Sequence, residues 1–157
     1  MTEADQERPS FESFYGATRP RIFRAVALVL GDTDVALEAT EEAMTRAAER
    51  WQAVGRYDNP AGWVYRVALN WARTHLRRLA RERGALEFEP GYEQKLPDPE
   101  LMEAVMTLPT GYRAVIVARF FLDWSVDETS RVLQIPEGTV KTRTHRALKR
   151  LRKVMGE

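Results

Sequence analysis

Residues 125–151 read SVDETSRVLQIPEGTVKTRTHRALKRL, and this stretch decides the fold of the C-terminal third of the chain. Ser125 and Glu128 form a capping box at the start of one short helix, because the serine hydroxyl can accept from the backbone N–H three residues on. A short turn follows, and Pro136 suits the first position of a second helix, where its missing N–H costs nothing. A capped helix, a tight turn and a second helix together predict a helix-turn-helix.

The second helix of this pair is strongly basic. Between Lys141 and Lys153 the chain has seven lysines and arginines and no acidic residue. Val140, Ala147 and Leu151 are predicted to pack inward, so the cations point elsewhere. Basic groups near the start of such a helix can reach base edges in the major groove, and those further along contact phosphates. A solvated basic helix is the simpler alternative, but the complete lack of acids favours DNA binding.

Upstream, residues 61–83 predict a helix with an arginine-rich face. Polar side chains recur there at steps of four, three and four residues and therefore share one side of the helix: Arg66, Asn70, Arg73 and Arg77. Aromatic residues are interleaved with them: Trp63, Tyr65 and Trp71. Rings that stack on bases, beside guanidinium groups that hold the backbone, are what single-stranded nucleic acid requires. The alternative is that these rings are core residues, and Trp71 falls on the predicted buried stripe.

The whole chain predicts an all-α protein of two small helical domains joined by a flexible acidic linker. Residues 1–10 are expected to be disordered. The first domain is assigned to 11–83, the linker to 84–100 and the second domain to 101–157. The linker assignment rests on two glycines, three prolines and an excess of acidic residues in that stretch.

Two helices are predicted before the arginine-rich one. The first begins near Phe11 and is expected to kink or divide at Pro20. The second is expected to begin at a cap formed by Thr33 or Asp34 and to run to about Gln52. Its predicted buried line consists of Val35, Ala39, Ala43 and Ala47. Its acidic residues lie off this line and face solvent or a partner: Glu38, Glu41, Glu42 and Glu49.

No catalytic, metal or cofactor site is predicted. The chain has no cysteine, and its two histidines, His75 and His145, lie on different predicted domains. No glycine-rich phosphate loop is present, and no convergent polar pocket supports a small enzyme acting on RNA. No apolar run approaches the roughly 20 residues that span a bilayer, and the N-terminus does not read as a signal peptide. We therefore expect a cytoplasmic protein with no membrane insertion and no small-molecule substrate.

Two parts of the chain resemble conserved regions of the sigma factors of RNA polymerase. The stretch LPTGYRAVIVARFFLDWSVDETSRVLQIPEGTVKTRTHRALKRLR, residues 108–152, is similar to the fourth conserved region. VALEATEEAMTRAAERW at 35–51, followed by AGWVYRVALNWARTHLRR at 61–78, is similar to the second. Only these two regions are present, which is the pattern of the extracytoplasmic-function group.

The resemblance implies a transcription initiation factor without enzymatic activity or cofactor. Its implied partners are core RNA polymerase, promoter DNA and an anti-sigma factor. The family binds the β′ clamp helices through an acidic helix, at positions held here by Glu38, Glu41, Glu42 and Met44. The positions that recognise and melt the −10 element are held by Trp63, Arg66, Asn70, Arg73 and Arg77. The positions that bind the −35 element are held by Lys141, Thr142, Arg143, His145, Arg146 and Lys149.

One alternative remains open at this point. It is a helix-turn-helix regulator that acts without polymerase; such a protein does not need the acidic helix.

Five residues depart from the family pattern. In the polymerase-binding helix, Glu41 stands where the family usually has glutamine. In the second domain, Thr129, Ser130 and Thr144 stand where the family has apolar residues, and Gln134 stands where it usually has glycine. We expect polarity and backbone strain at these positions to lower the stability of the second domain.

Overall fold

A computed structural model describes residues 8–83 and 99–156, and these ranges contain helices and no strand, which confirms the all-α prediction. The elements of this part are α1 (Phe11–Leu30), α2 (Thr33–Glu49), α3 (Trp51–Val54), α4 (Pro60–Arg83), α5 (Pro99–Met106), α6 (Thr110–Ile116), a π-helical turn (Val117–Phe121), α7 (Val126–Leu133) and α8 (Glu137–Val154). Residues 1–7 and 84–98, most of the predicted disordered terminus and linker, lie outside the described ranges, and the division into two domains stays a prediction. None of the described helices has the length and apolar character needed to cross a membrane.

The helix boundaries in the first half (residues 8–83) follow the predicted ones with two differences. α1 runs through Pro20 as one element, so the helix is not divided there. It ends at Gly31, whose φ of 71° is left-handed and favours glycine. Asp32, rather than Thr33 or Asp34, caps α2. Its carboxylate accepts hydrogen bonds from two backbone N–H groups at 3.0 and 3.1 Å.

The core of the first half forms where α1 and α4 pack on either side of α2. The predicted inward line of α2 is buried in full: Val35, Ala39, Ala43 and Ala47. Three of these four residues are alanines, so the neighbouring helices can approach α2 closely. This packing fixes which side of α4 remains outside.

The second half (residues 99–156) has a smaller core of its own and contains the predicted helix-turn-helix. Its apolar cluster comes from α5, α6 and α8: Ala104, Val105, Leu108, Ile116, Ala147 and Leu151. Ser125 caps α7 by accepting from the Glu128 N–H at 3.0 Å. Gln134 has a φ of 57° at the end of α7, which confirms the expected backbone strain at that position.

A π-helical turn, Val117–Phe121, follows α6 directly. The Leu122 N–H donates to the Val117 carbonyl at 2.9 Å, five residues back. Asp123 then adopts a left-handed conformation with φ of 59°. The turn places Trp124 against the ring of Tyr65 in α4, edge to face, with ring centroids 5.5 Å apart.

The two halves pack against each other in this structure. The larger apolar core continues from the first half into the second through Ala114, Val117, Ala118, Leu122 and Val132. Tyr65 is fully buried there, and its hydroxyl donates to the Ala114 carbonyl at 2.9 Å. Gly62 is also required at this boundary, because an added Cβ would lie 2.5 Å from Val132 Cγ2. The chain is therefore closed, with α4 facing α6 and α7.

Candidate nucleic-acid interface

The arginine-rich face of α4 is present and carries unpaired charge. Asn70, Arg73 and Arg77 are exposed, and Arg66 is partly buried. None of these three arginines has a carboxylate partner among the described residues. The acids of α2 have other partners, so they do not neutralise this face. The exposed cations of α4 remain available to a nucleic-acid backbone.

The aromatic residues of α4 have three different roles. Trp63 is half-buried and lines a hollow together with Arg66, next to α7. Tyr65 is a core residue, so the expectation that its ring stacks on bases is wrong, and its burial raises the pKa of its hydroxyl far above the usual value. Trp71 stacks on His75 with ring centroids 4.6 Å apart and lies partly buried. Trp63 and Trp71 are thus the partly accessible rings beside the arginine face, and Trp71 is already stacked on His75.

The predicted polymerase-binding residues of α2 are not equally accessible. Glu38 is the most exposed, with 62% of its side chain accessible and only His75 nearby, at 3.7 Å. Glu41 contacts Arg19 and accepts a hydrogen bond from the Tyr15 hydroxyl at 3.0 Å. Met44 is 1% exposed and belongs to the core, so its side chain is not accessible to a partner in this structure.

The interactions of Glu41 also change the acidity of its neighbours. Burial and the bond to the Glu41 carboxylate raise the pKa of the Tyr15 hydroxyl. The same carboxylate raises the pKa of Arg19. Glu42 forms a separate pair with Arg46 one turn along α2, at 3.2 Å. The acidic face of α2 thus combines the largely exposed carboxylate of Glu38, which lies near His75, with two carboxylates that are paired with arginines.

The predicted base-reading face of α8 is largely open. Five of its six predicted DNA-binding side chains are exposed: Lys141, Thr142, His145, Arg146 and Lys149. Arg143 differs, because its guanidinium carbon lies 5.9 Å from the centre of the Tyr112 ring, turned toward α6. Gly111 permits this position, since an added Cβ there would lie 3.0 Å from Arg143 Nη1.

Two polar residues of α7 and α8 confirm the expected departures from an apolar core. Thr129 is fully buried, and its hydroxyl has no hydrogen-bond partner. Thr144 is partly buried, and its hydroxyl donates to the Val140 carbonyl at 2.7 Å. The capping-box carboxylate of Glu128 has a partner outside α7, accepting from Asn59 Nδ2 in the first half at 2.9 Å.

Comparison with known proteins identifies the family. The model of the family "Sigma-70, region 4" matches residues 99–151. The RNA polymerase sigma factor SigV of Bacillus subtilis is 30% identical over 135 residues, covering 83% of this chain and 81% of the relative. The ECF RNA polymerase sigma factor SigM of Mycobacterium tuberculosis is 30% identical over 156 residues, covering 96% of this chain and 79% of the relative. The chain belongs to the extracytoplasmic-function sigma factors of RNA polymerase.

The solved structures agree with this sigma-factor fold. The sigma factor RpoE of Bartonella quintana, crystallised in complex with the anti-sigma factor NepR, matches with a TM-score of 0.81. The match covers 93% of this sigma factor and 96% of that chain, at 18% identity. Family membership sets aside the alternative of a helix-turn-helix regulator that acts without polymerase. Sigma factors are regulatory proteins that initiate transcription.

One functional candidate of this sigma factor was missed at the sequence level. Arg113 in α6 is only 9% exposed and lies between the two halves. Its nitrogens donate to Thr110 Oγ1 at 2.9 Å and to Met106 Sδ at 3.3 Å, while Nε has no partner. A single arginine on a short helix is normally solvent-exposed, and nothing in its sequence neighbours indicates burial. No group of residues able to hold a metal ion occurs within 8–83 and 99–156.

Proposed function

We propose that this sigma factor directs core RNA polymerase to specific promoters by holding the −10 element on α4 and the −35 element on α8. The observation that carries the proposal is that both helices present cations without carboxylate partners among the described residues, on a chain of the sigma-factor family. Such cations bind phosphates, while Asn70 and His145 are exposed polar groups that can read bases. The role in initiation is regulatory and involves no catalysis by this chain.

Promoter binding requires the two halves to separate. The −10 and −35 elements are about 25 base pairs apart, which corresponds to roughly 85 Å along duplex DNA. A compact chain of this length has a radius of gyration of about 15 Å. In the closed structure α4 also faces α6 and α7, so part of its arginine face is covered. We therefore propose that polymerase stabilises an open arrangement in which each half contacts its own element.

Polymerase binding is assigned to the acidic face of α2. Glu38 is the leading candidate because its carboxylate is the most exposed of the three. Glu41 and Glu42 would have to exchange their partners Arg19 and Arg46 for cations of the polymerase clamp. Met44 contributes by packing α2 in the core, where it fixes the position of the acids.

Reconstitution with core polymerase tests the proposal. The full chain is mixed with core enzyme and a library of promoter fragments, and start sites are mapped. The expected result is initiation at sites that share one −35 and one −10 sequence. Asn70→Ala should retain polymerase binding and lose opening of the −10 element, whereas Arg24→Gln at an exposed position of α1 should behave as wild type. A chain that fails to bind core polymerase at low micromolar concentration would contradict the proposal.

We also propose that an anti-sigma factor is a partner and that the protein works in the cytoplasm with RNA polymerase. The structural relative RpoE was crystallised with such a protein, which supports this proposal by analogy of fold. Co-purification from the native host under non-inducing conditions should give a second protein besides polymerase subunits. Recovery of polymerase subunits alone would count against it.

A further inference from the structure

A cleft between the two halves collects five arginines from three helices. It encloses about 870 Å³, within the range of small-molecule sites. Its wall includes five arginines from α4, α6 and α8: Arg66, Arg73, Arg77, Arg113 and Arg143. No aspartate or glutamate lines it among the described residues. Like charges gathered in one concave site repel one another, so this arrangement favours an anion between them.

Arg113 gives an independent reason to expect an anion. It is 9% exposed, and among the described residues it has only neutral partners and its Nε has no acceptor. Its desolvation lowers the pKa of the guanidinium, because burial destabilises the charged form. A buried cation is ordinarily paired with a carboxylate or another anion. Since both of its partners also line the cleft, its charge lies where a ligand can reach it.

Arg143 is directed to the same cleft by its local packing. Its guanidinium carbon lies 5.9 Å from the centre of the Tyr112 ring, and its Nη1 lies 3.0 Å from where a Cβ at Gly111 would stand. It is the only one of the six predicted −35 residues to line this cleft. A side chain that is already held beside an aromatic ring and a glycine loses less conformational entropy when it binds an anion than a free surface arginine does.

We propose that this cleft binds a small polyphosphate ligand, with nucleoside di- and triphosphates as the class that fits it. The arginines supply fork-shaped donors that match phosphate oxygens. The remaining wall is mainly apolar, including Leu69, Leu76, Met106 and Ile135, and can cover a base or sugar. Because the ligand would bridge α4 with α6 and α8, it would hold the closed arrangement and compete with promoter DNA for Arg66, Arg73 and Arg77.

The test uses the full chain without polymerase or DNA, so that its outcome is independent of transcription. Binding of inorganic tripolyphosphate, ATP and GTP is measured by calorimetry at 0.15 M ionic strength, with sulfate at matched ionic strength as control. Saturable 1:1 binding of all three phosphates is expected, with the nucleotides tighter if the apolar wall contributes. No saturable binding at millimolar concentration, or equal binding of sulfate, overturns the proposal.

Matched variants locate the site. Arg113→Met should weaken tripolyphosphate binding by about tenfold or more, since each lost charge-assisted contact is worth at least about that factor. The same substitution at exposed Arg150 on α8 should change binding by less than about twofold, the range of a remote surface charge. If Arg113→Met fails to fold, Arg143→Met carries the test with the same expected loss. Equal losses in Arg143→Met and Arg150→Met would show only a general cationic surface and would refute the site.

Discussion

The hydroxyl of Tyr65 donates a hydrogen bond to the backbone carbonyl of Ala114, 2.9 Å away, across the boundary between the two halves of the chain. Both groups are buried, and the Trp124 ring meets the Tyr65 ring edge-on at the same place. This pair therefore joins α4, the helix to which we assign −10 binding, to α6 of the second half. The hydrogen bond and the ring contact each require a defined geometry, so they fix how the two halves pack, which an apolar contact alone would not do.

Removing this hydroxyl should destabilise the closed state. Tyr65→Phe keeps the ring packing and leaves the Ala114 carbonyl without this donor, so we expect the free energy of unfolding to fall by about 1 kcal/mol. Urea unfolding followed by tryptophan fluorescence measures it. Tyr57→Phe is the matched control, because Tyr57 is 48% exposed and should be unaffected. An unchanged midpoint for Tyr65→Phe would show that the bond contributes no net stability.

The strained turn of the helix-turn-helix should be improved by glycine. Gln134 has a φ of 57°, which disfavours any residue with a Cβ. Gln134→Gly is therefore expected to raise the free energy of unfolding by about 1 kcal/mol. Gln134→Ala is the control, because it keeps the Cβ and should give no such gain. Equal stability of the two variants would argue that strain at this turn is negligible.

The buried hydroxyl of Thr129 should be unfavourable. Thr129→Val keeps the shape of the side chain and removes an unpartnered polar atom, so we expect stabilisation by about 1 kcal/mol. Thr40→Val is a sharp comparison, because Thr40 is equally buried but its hydroxyl donates to the Ala36 carbonyl at 2.7 Å. That variant should be neutral or destabilised. Thermal unfolding of both variants measures the two changes in stability. A change of the same sign in both variants would contradict the explanation.

The exposed cations of α8 should contribute to promoter affinity through phosphates. Lys149→Gln is expected to reduce the slope of log affinity against log salt by about 0.9, the value for one phosphate contact. The measurement is binding of the holoenzyme to a promoter duplex over a series of salt concentrations. Arg24→Gln on α1 removes the same charge elsewhere and should leave the slope unchanged. A slope that falls equally in both variants would indicate a net-charge effect.

Glu38 and Glu41 should respond differently to neutralisation. Glu38→Gln is expected to weaken binding to core polymerase about fivefold, corresponding to roughly 1 kcal/mol for one interfacial charge. Glu41→Gln should instead lower the stability of the free chain, because it disturbs the contacts to Tyr15 and Arg19. Polymerase affinity and urea unfolding, measured on both variants, separate the two effects. The reverse pattern would assign the polymerase contact to Glu41.

The sequence was sufficient to predict the long helices and the cationic faces of α4 and α8. Periodicity placed Val35, Ala39 and Ala43 in the core correctly, and the capping box located the start of α7. Local patterns of this kind depend on neighbours within one or two turns, which is why they can be read from the chain. The assignment of particular residues to polymerase binding and to promoter binding remains a prediction.

What could not be predicted depends on contacts between distant segments. Tyr65 belongs to the core because α6 and the π-helical turn cover it, and Arg113 is buried by the same packing. The π-helical turn itself has no sequence signal among Val117, Ala118 and their neighbours. Met44 was assigned to a polymerase-binding position by resemblance, although its side chain is buried in the core.

The carboxylate of Glu128 has two possible partners, Asn59 of the first half and the backbone N–H of Ser125, the residue that caps its own helix. In the closed chain it accepts from Asn59, and among the described residues it accepts no bond from the Ser125 N–H. Once the halves part, that carboxylate is free to return to its own helix. Separation therefore replaces a lost bond with a new one, and the helix-turn-helix becomes better capped at the moment it is released to meet DNA.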